Sequence, residues 1–147
     1  MYNDKVKGEV PANFEELKKA VNRTANWRER IKAVEELGQW RSQQTIDILK
    51  RVVAEDSVFK VQEAAYYKLK ELREEVARPS KRKGDLVKGV SKILLRIKKS
   101  LPEDHTFEDF KGKLKKMRSD IYDTYEGEMG ADFNQWLEST WSSLSNK

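Results

Sequence analysis

Hydrophobic residues recur every three or four positions along most of the chain, which is the spacing of one face of an amphipathic helix. In the first half this pattern predicts helices that begin at Asn13, Asn26, Thr45 and Ser57, the last of them running to about Val76. In the second half it predicts helices that begin at Asp85, Thr106 and Asp132. We therefore expect an all-α fold with seven helices.

The first half of the chain repeats itself. When the sequence is shifted by 32 residues, apolar positions fall on apolar positions, as for Phe14 on Ile46, Leu17 on Leu49, Trp27 on Phe59, Ala33 on Ala65 and Leu37 on Leu69. Fixed-period similarity of this kind is typical of helical repeat proteins. Each copy is predicted to be a pair of helices, and the short links between helices make neighbours antiparallel.

Two segments of these copies resemble the second helix of HEAT repeats of the bilin-lyase type. They are Asp56-Ser-Val-Phe-Lys-Val-Gln-Glu-Ala-Ala-Tyr-Tyr-Lys-Leu69 and Arg30-Ile-Lys-Ala-Val-Glu-Glu-Leu-Gly38. Gln62 and Glu29 depart from that pattern, since the family usually has Arg and Val there. The resemblance implies two HEAT-like repeats over residues 13–76 and a stack that binds other proteins along its inner helices.

Local signals mark where the helices begin and end. Asn13, Asn26 and Thr106 each precede an acidic residue by three positions, which predicts a capping box. Asp56 or Ser57 is expected to cap the second inner helix, and Asp132 the last helix. Gly38 is expected to end the first inner helix.

The second half shows no such repeat. Pro79 and Gly84 interrupt the helical pattern, so residues 77–84 are predicted to be a basic linker. Residues 85–147 then form a three-helix C-terminal unit. Because two repeats fall short of the roughly three that bury a continuous core, we expect this unit to pack on the repeats and cover their open end.

The composition argues against catalysis and metal binding. The chain has no cysteine and one histidine, His105, and it contains no glycine-rich phosphate loop or nucleophile elbow. We therefore predict no catalytic residue, no metal site and no cofactor. No apolar run approaches the ~18 residues that span a bilayer, and no signal peptide is evident, so a cytoplasmic protein without membrane insertion is expected.

Positive charge is concentrated in the middle of the chain. Residues 81–118 carry 13 basic and 5 acidic groups, whereas residues 119–147 carry 1 basic and 6 acidic groups. The basic residues could form a surface for phosphate groups; the candidates are Lys81, Arg82, Lys83, Lys88, Lys92, Arg96, Lys99, Lys111, Lys115 and Arg118. The same lysines could instead only solubilise the outer faces of helices, and the acidic C-terminus could cover them.

Aromatic and basic residues on the inner helices are the candidates for protein binding, because such residues anchor interfaces. They are Trp27, Arg28, Arg30, Lys60 and Tyr67; for Trp27, packing in the core is the alternative. The leading hypothesis is a non-catalytic adaptor or scaffold that binds another protein through this inner-helix face. The alternative is a nucleic-acid-binding protein that uses the basic surface of residues 81–118. Nothing in the residues indicates an oligomeric state.

Overall fold

The computed structural model describes residues 10–23, 25–81 and 86–144, and every regular element in these ranges is a helix. The all-α prediction is thus confirmed. The described residues form eight α-helices: α1 (Phe14–Val21), α2 (Trp27–Leu37), α3 (Gln43–Glu55), α4 (Phe59–Glu71), α5 (Val90–Lys99), α6 (Phe107–Met117), α7 (Ser119–Met129) and α8 (Phe133–Ser143). A 3-10 turn, Gly130–Asp132, precedes α8.

The chain divides into two compact units, Met1–Lys81 and Arg82–Lys147. The division falls inside the segment predicted as a basic linker, residues 77–84. The predicted packing of the second unit on the repeats stays a prediction. Among the described residues, no helix combines the length and the apolar character that crossing a membrane requires.

The first unit is built from two helix pairs. Helix α1 packs on α2, α3 packs on α4, and the two second helices, α2 and α4, pack on each other. Their shared core contains Val34, Leu37, Leu49, Val61 and Leu69, all with no exposed surface. Burying one such side chain contributes roughly 1.5–3 kcal/mol, so the continuous apolar faces that the repeat predicts are what hold the pairs together.

The ends of these helices confirm some of the predicted caps and correct others. Asn26 accepts a hydrogen bond from the Glu29 backbone N–H at 3.2 Å, as expected. Asn13 makes no such cap; its amide lies 3.5 Å from a carboxylate oxygen of Glu36. Helix α4 begins only at Phe59, after Val58, so the predicted start at Ser57 comes two residues early.

Helix α4 ends at Glu71, five residues before the predicted end at Val76. Arg73 adopts φ 63°, a left-handed conformation that glycine usually supplies at this position. The N–H groups of Glu74 and Arg73 then bond the carbonyls of Leu69 and Lys70 at 2.9 and 3.0 Å. This is a Schellman motif, and it turns the chain into the non-helical segment of residues 74–81.

Gly38 follows α2 directly, as predicted, but it has an ordinary right-handed conformation with φ −67°. A Cβ atom added at Gly38 would lie 2.6–2.7 Å from the side-chain carbons of Lys68 on α4. Close packing of α4, rather than backbone freedom, is therefore what requires glycine here.

In the second unit, α6 packs against each of the other three helices. The centre of the core is formed by Leu94, Phe110, Leu114, Ile121 and Leu137, none more than 1% exposed. Residues 86–144 of the unit thus form four helices where three were predicted.

The additional helix arises because the segment predicted as one helix from Thr106 is divided at Arg118, whose φ of −136° and ψ of 66° are not helical. Met117, the last residue of α6, is 54% exposed at this joint. The predicted capping box at Thr106 forms with Asp109 in both directions. Asp132 precedes α8 but makes no side-chain cap bond. Helix α5 begins at Val90, after Gly89 with φ 74°, and not at Asp85, which lies outside the described residues.

Candidate interaction surface on the inner helices

Trp27 lies between two basic side chains at the start of the inner helices. Because Asn26 caps α2, Trp27 is the first helical residue and Arg28 follows it. The Arg28 guanidinium carbon is 4.4 Å from the centre of the Trp27 ring, and the Lys60 ammonium is 5.0 Å from it. Trp27 is half-buried and packs on the core of the unit. Part of its side chain therefore packs in the core, and the rest is exposed on the surface.

A second aromatic group lies further along α4. Tyr66 and Tyr67 meet edge to face with ring centres 5.2 Å apart, and Tyr67 is 47% exposed. Arg78 donates a hydrogen bond to the Tyr67 hydroxyl at 2.8 Å, and its guanidinium carbon is 5.8 and 5.9 Å from the two ring centres. The ammonium of Lys70 is 5.8 Å from the Tyr66 ring.

The non-helical segment of residues 74–81 connects the two groups. Arg78 lies at Tyr67, and three residues later the Lys81 ammonium lies 5.7 Å from the ring of Phe59, at the opposite end of α4. The segment therefore runs back along α4 and adds two cations to its exposed side. We refer to the resulting surface as the aromatic–basic face; it consists of Trp27, Arg28, Phe59, Lys60, Tyr67, Lys70, Arg78 and Lys81, and Tyr67 meets the buried Tyr66 ring edge to face.

Arg30 is not part of this surface. Its side chain and that of Asp56 are 3% and 6% exposed, and they form a two-pronged ion pair with Nε–Oδ2 at 2.8 Å and Nη2–Oδ1 at 3.1 Å. Arg30 Nη1 also donates to the carbonyl of Arg23 at 2.7 Å, and Asp56 Oδ1 accepts from the Val58 N–H at 2.9 Å. The pair links α2 of the first repeat to the loop before α4, so Arg30 has a structural role.

Asp56 or Ser57 was expected to cap α4, but the helix has no side-chain cap bond. Asp56 instead accepts from the N–H of Val58, the residue before the helix, and pairs with Arg30. The signal for the burial of Arg30 was present in the sequence. Arg30 lies three, four and seven positions before Ala33, Val34 and Leu37, which places it on the apolar face of α2.

A cleft of about 290 Å³ lies beside this ion pair, at the ends of α1 and α3. Its lining includes Arg23 and Arg51 together with Glu55 and Asp56, so cations and carboxylates face the same space. Among the described residues, no group of three or more histidine, cysteine, aspartate or glutamate side chains could hold a metal ion. Arg30 also lines the cleft but is paired with Asp56, so the cleft combines groups of both signs and offers no cluster of metal ligands among the described residues.

In the second unit, the basic residues predicted to bind phosphate are found in different environments. Lys92, Arg96 and Lys99 lie on α5 and are exposed, opposite the buried Leu94 and Ile97. Lys88 is exposed but precedes α5, so helical spacing does not align it with them. Arg82 and Lys83 lie outside the described residues.

The three predicted phosphate-binding residues of α6 and its end contact neighbouring side chains. Lys111 donates to Asn134 of α8 at 2.6 Å, and the Lys115 ammonium is 5.4 Å from the Tyr122 ring. Arg118 pairs with Asp120, with both of its nitrogen–oxygen contacts at 3.2 Å. This hydrogen bond lowers the pKa of the Asp120 carboxyl and raises the pKa of Arg118.

Sequence reasoning missed Lys98, a basic residue with a structural role. Its ammonium is buried and donates to the carbonyls of Trp141 and Leu144 at 2.6 and 2.9 Å, which satisfies the end of α8. His105, the single histidine, lies just before α6 and accepts a hydrogen bond from the Trp141 indole N–H at 2.9 Å. Both residues tie α8 to the rest of the unit.

The first unit, with its two packed helix pairs and stacked second helices, belongs to the class of helical repeat structures. Residues 14–80 match the family model of HEAT repeats, so this segment consists of HEAT repeats, as the sequence resemblance indicated. No curated protein and no solved structure showed significant similarity to the chain. Repeat stacks of this kind generally provide surfaces that bind or organise other proteins.

Proposed function

We propose that this protein is a non-catalytic adaptor that binds another protein through the aromatic–basic face. One observation carries the proposal: the cations of Arg28 and of Lys60, which lies 33 positions after Trp27, are 4.4 and 5.0 Å from the centre of the Trp27 ring, and Tyr67 is exposed on the same helix as Lys60. Tryptophan, tyrosine and arginine are the residues that dominate binding energy at protein interfaces. Their position on the second helices of a HEAT stack agrees with the way that such stacks bind partners.

Site-specific photocrosslinking in the source cells tests this proposal. A photoreactive phenylalanine analogue replaces Tyr67 in one variant and Gln44, an exposed residue of α3, in a control. We expect a discrete crosslinked protein from position 67 and not from position 44. The crosslink is expected to disappear when Lys60→Glu is added, and to persist with Lys19→Glu, a charge reversal on α1. Equal crosslinking at both positions would contradict the proposed face.

Nucleic-acid binding is the second candidate, and the exposed row of Lys92, Arg96 and Lys99 on α5 favours it. Binding through such a row would weaken steeply with salt, since each phosphate contact releases a counterion. The test is a titration of labelled duplex and single-stranded oligonucleotides from about 50 to 200 mM salt. Affinity that falls by orders of magnitude, and is lost in Lys92→Glu/Lys115→Glu, would support this candidate; no binding at low salt would exclude it.

A further inference from the structure

His105 connects the C-terminal end of α8 to the loop before α6. Its Nε2 accepts a hydrogen bond from the Trp141 indole N–H at 2.9 Å, and its Nδ1 bonds the carbonyl oxygen of Pro102. A carbonyl oxygen can only accept a hydrogen bond, so Nδ1 carries a proton. An indole N–H can only donate, so Nε2 carries none. The two bonds therefore form together only when the imidazole is neutral and protonated at Nδ1.

Trp141 is the side chain through which this bond holds α8. Its ring centre lies 5.6 Å from that of Phe107 and 6.4 Å from that of Phe110, both on α6. It also meets the His105 ring edge to face at 5.7 Å. The backbone carbonyl of Trp141 accepts a hydrogen bond from the buried Lys98 ammonium of α5 at 2.6 Å. The last turn of α8 is thus attached to α5 and α6 through this one residue.

Protonation of His105 is incompatible with its bond to Trp141. The imidazolium ion is a donor at both nitrogens, so its Nε2–H would point at the indole N–H, which is also a donor. The edge of an aromatic ring is its electropositive part, so the charged imidazole gains no attraction by staying beside that edge. The bond from Nδ1 to Pro102 restrains the imidazole from turning away. The contact is therefore favourable for the neutral ring and unfavourable for the charged one.

The charged groups around His105 are one buried cation and several exposed residues. The Lys98 ammonium lies 5.4 Å from the centre of the Trp141 ring, so a positive charge on His105 would be added to a cluster that already holds one. Lys99, the next residue of α5, is exposed. The carboxylates of the loop, of α6 and of α8 are exposed too, and water weakens their attraction for a charged imidazole; they are Glu103, Asp104, Glu108, Asp109 and Glu138.

We propose that the contact between His105 and Trp141 is a pH-sensitive switch, which fixes the C-terminal end of α8 while the imidazole is neutral and releases it on protonation. His105 is the single histidine of the chain, and histidine is the side chain that ordinarily changes its charge between about pH 5 and 8. The contact therefore stabilises the unit at the upper end of this range, and the contribution is lost as the pH falls. Release uncovers Phe107, which is 9% exposed beside the Trp141 ring. The switch lies within the second unit and does not depend on the proposed adaptor function.

Nuclear magnetic resonance of the full chain tests this switch at about pH 8 and about pH 5. The nitrogen chemical shifts of the imidazole identify its protonated nitrogen, and we expect the Nδ1–H tautomer at the higher pH. Hydrogen exchange of the Leu144 amide, which bonds the carbonyls of Thr140 and Trp141, reports on the end of α8. The reference is His105→Gln, whose amide oxygen can accept from the indole N–H and does not change its charge.

We expect the protection of the Leu144 amide in the parent, divided by that in His105→Gln, to fall by about fivefold from the higher to the lower pH, because the net free energy of one hydrogen bond corresponds to about that factor. The ratio cancels the intrinsic pH dependence of exchange. Equal pH dependence in the parent and in His105→Gln would overturn the proposal. The Nε2–H tautomer at the higher pH would overturn it as well, and this measurement needs no variant.

Trp141→Phe separates the indole donor from the packing of the ring. It keeps an aromatic side chain beside Phe107 and removes the N–H that His105 accepts. We expect the additional loss of Leu144 protection at the lower pH to disappear in this variant. If the loss persisted, protonation would act through another contact and the role of Trp141 would be refuted. A circular dichroism spectrum like that of the parent at the higher pH shows that each variant is folded.

Discussion

The buried ion pair between Arg30 and Asp56 should be among the most sensitive points of the first unit. Asp56→Ala removes the acceptor for Arg30 Nε and Nη2 and for the Val58 N–H, and it leaves a guanidinium that is 3% exposed without its counter-charge. Breaking one partner of a buried pair costs about 3–5 kcal/mol. Domains have about 5–15 kcal/mol of stability in total, so this loss is a large fraction of it.

Urea denaturation followed by circular dichroism measures the loss, and hydrogen exchange of the α2 and α4 amides assigns it to the first unit. We expect Asp56→Ala to lower the free energy of unfolding by about 3–5 kcal/mol and the melting temperature by about 12 °C or more. Lys32→Ala is the control, because it removes an exposed pair with Glu29 at 3.8 Å. Such a pair contributes at most about 1 kcal/mol.

A double variant separates the unpaired charge from lost packing. Arg30→Met with Asp56→Ala removes both charges, and replacing a buried pair by apolar groups is often nearly neutral. We therefore expect the double variant to be more stable than Asp56→Ala alone. A cost below about 1 kcal/mol for Asp56→Ala, or a double variant less stable than that single variant, would refute the reasoning.

Further predictions concern single backbone positions and pH. Gly38→Ala should lower the free energy of unfolding by roughly 1–3 kcal/mol through overpacking. Gly112→Ala should instead raise it by about 0.5–1 kcal/mol, because Gly112 lies in the interior of α6 and an added Cβ would meet open space. Thermal melting of both variants measures these changes. Arg73→Gly should raise stability by up to about 1–2 kcal/mol in the same assay, because it relieves the left-handed backbone; a loss would contradict the Schellman geometry. Arg118 lowers the pKa of Asp120. The pair therefore stabilises the folded protein at pH values above the ordinary carboxyl pKa near 4, and this contribution is lost as the pH falls through the lowered pKa of Asp120. Asp120→Asn should therefore be slightly less stable than the parent at pH 7, by under about 1 kcal/mol, and the difference should shrink as the pH falls through the lowered pKa.

The helix pairs of the first unit could be predicted closely because the sequence pattern that determines them is local and occurs twice. The shift of 32 residues aligned Trp27 with Phe59 and placed Arg28 and Lys60 on inner helices, and the structure brings Trp27, Arg28 and Lys60 together. Arg78 was missed because it reaches Tyr67 only through the reversal at Arg73. A left-handed arginine is not favoured by any local propensity, so that turn follows from packing.

The second unit was predicted less well, for a related reason. The apolar residues Phe110, Leu114 and Ile121 keep helical spacing across the break at Arg118, so their pattern resembles one helix. The partners of Lys98 are backbone carbonyls more than 40 positions further along the chain. Hydrophobic periodicity carries no information on such contacts. The count of basic residues over 81–118 therefore included Lys98 together with the exposed lysines.

The one-residue joint between α6 and α7 constrains how this sequence can change in length. Arg118 ends one helix and begins the next, and Leu114 and Ile121 on its two sides are each 1% exposed. Each residue turns a helix by about 100°, so an insertion or deletion here would rotate the apolar side of α7 out of the core unless the joint itself absorbed it. The longer connection of residues 100–106 between α5 and α6 has no such restriction. Natural variation in chain length should accordingly occur in that loop and be absent at residue 118.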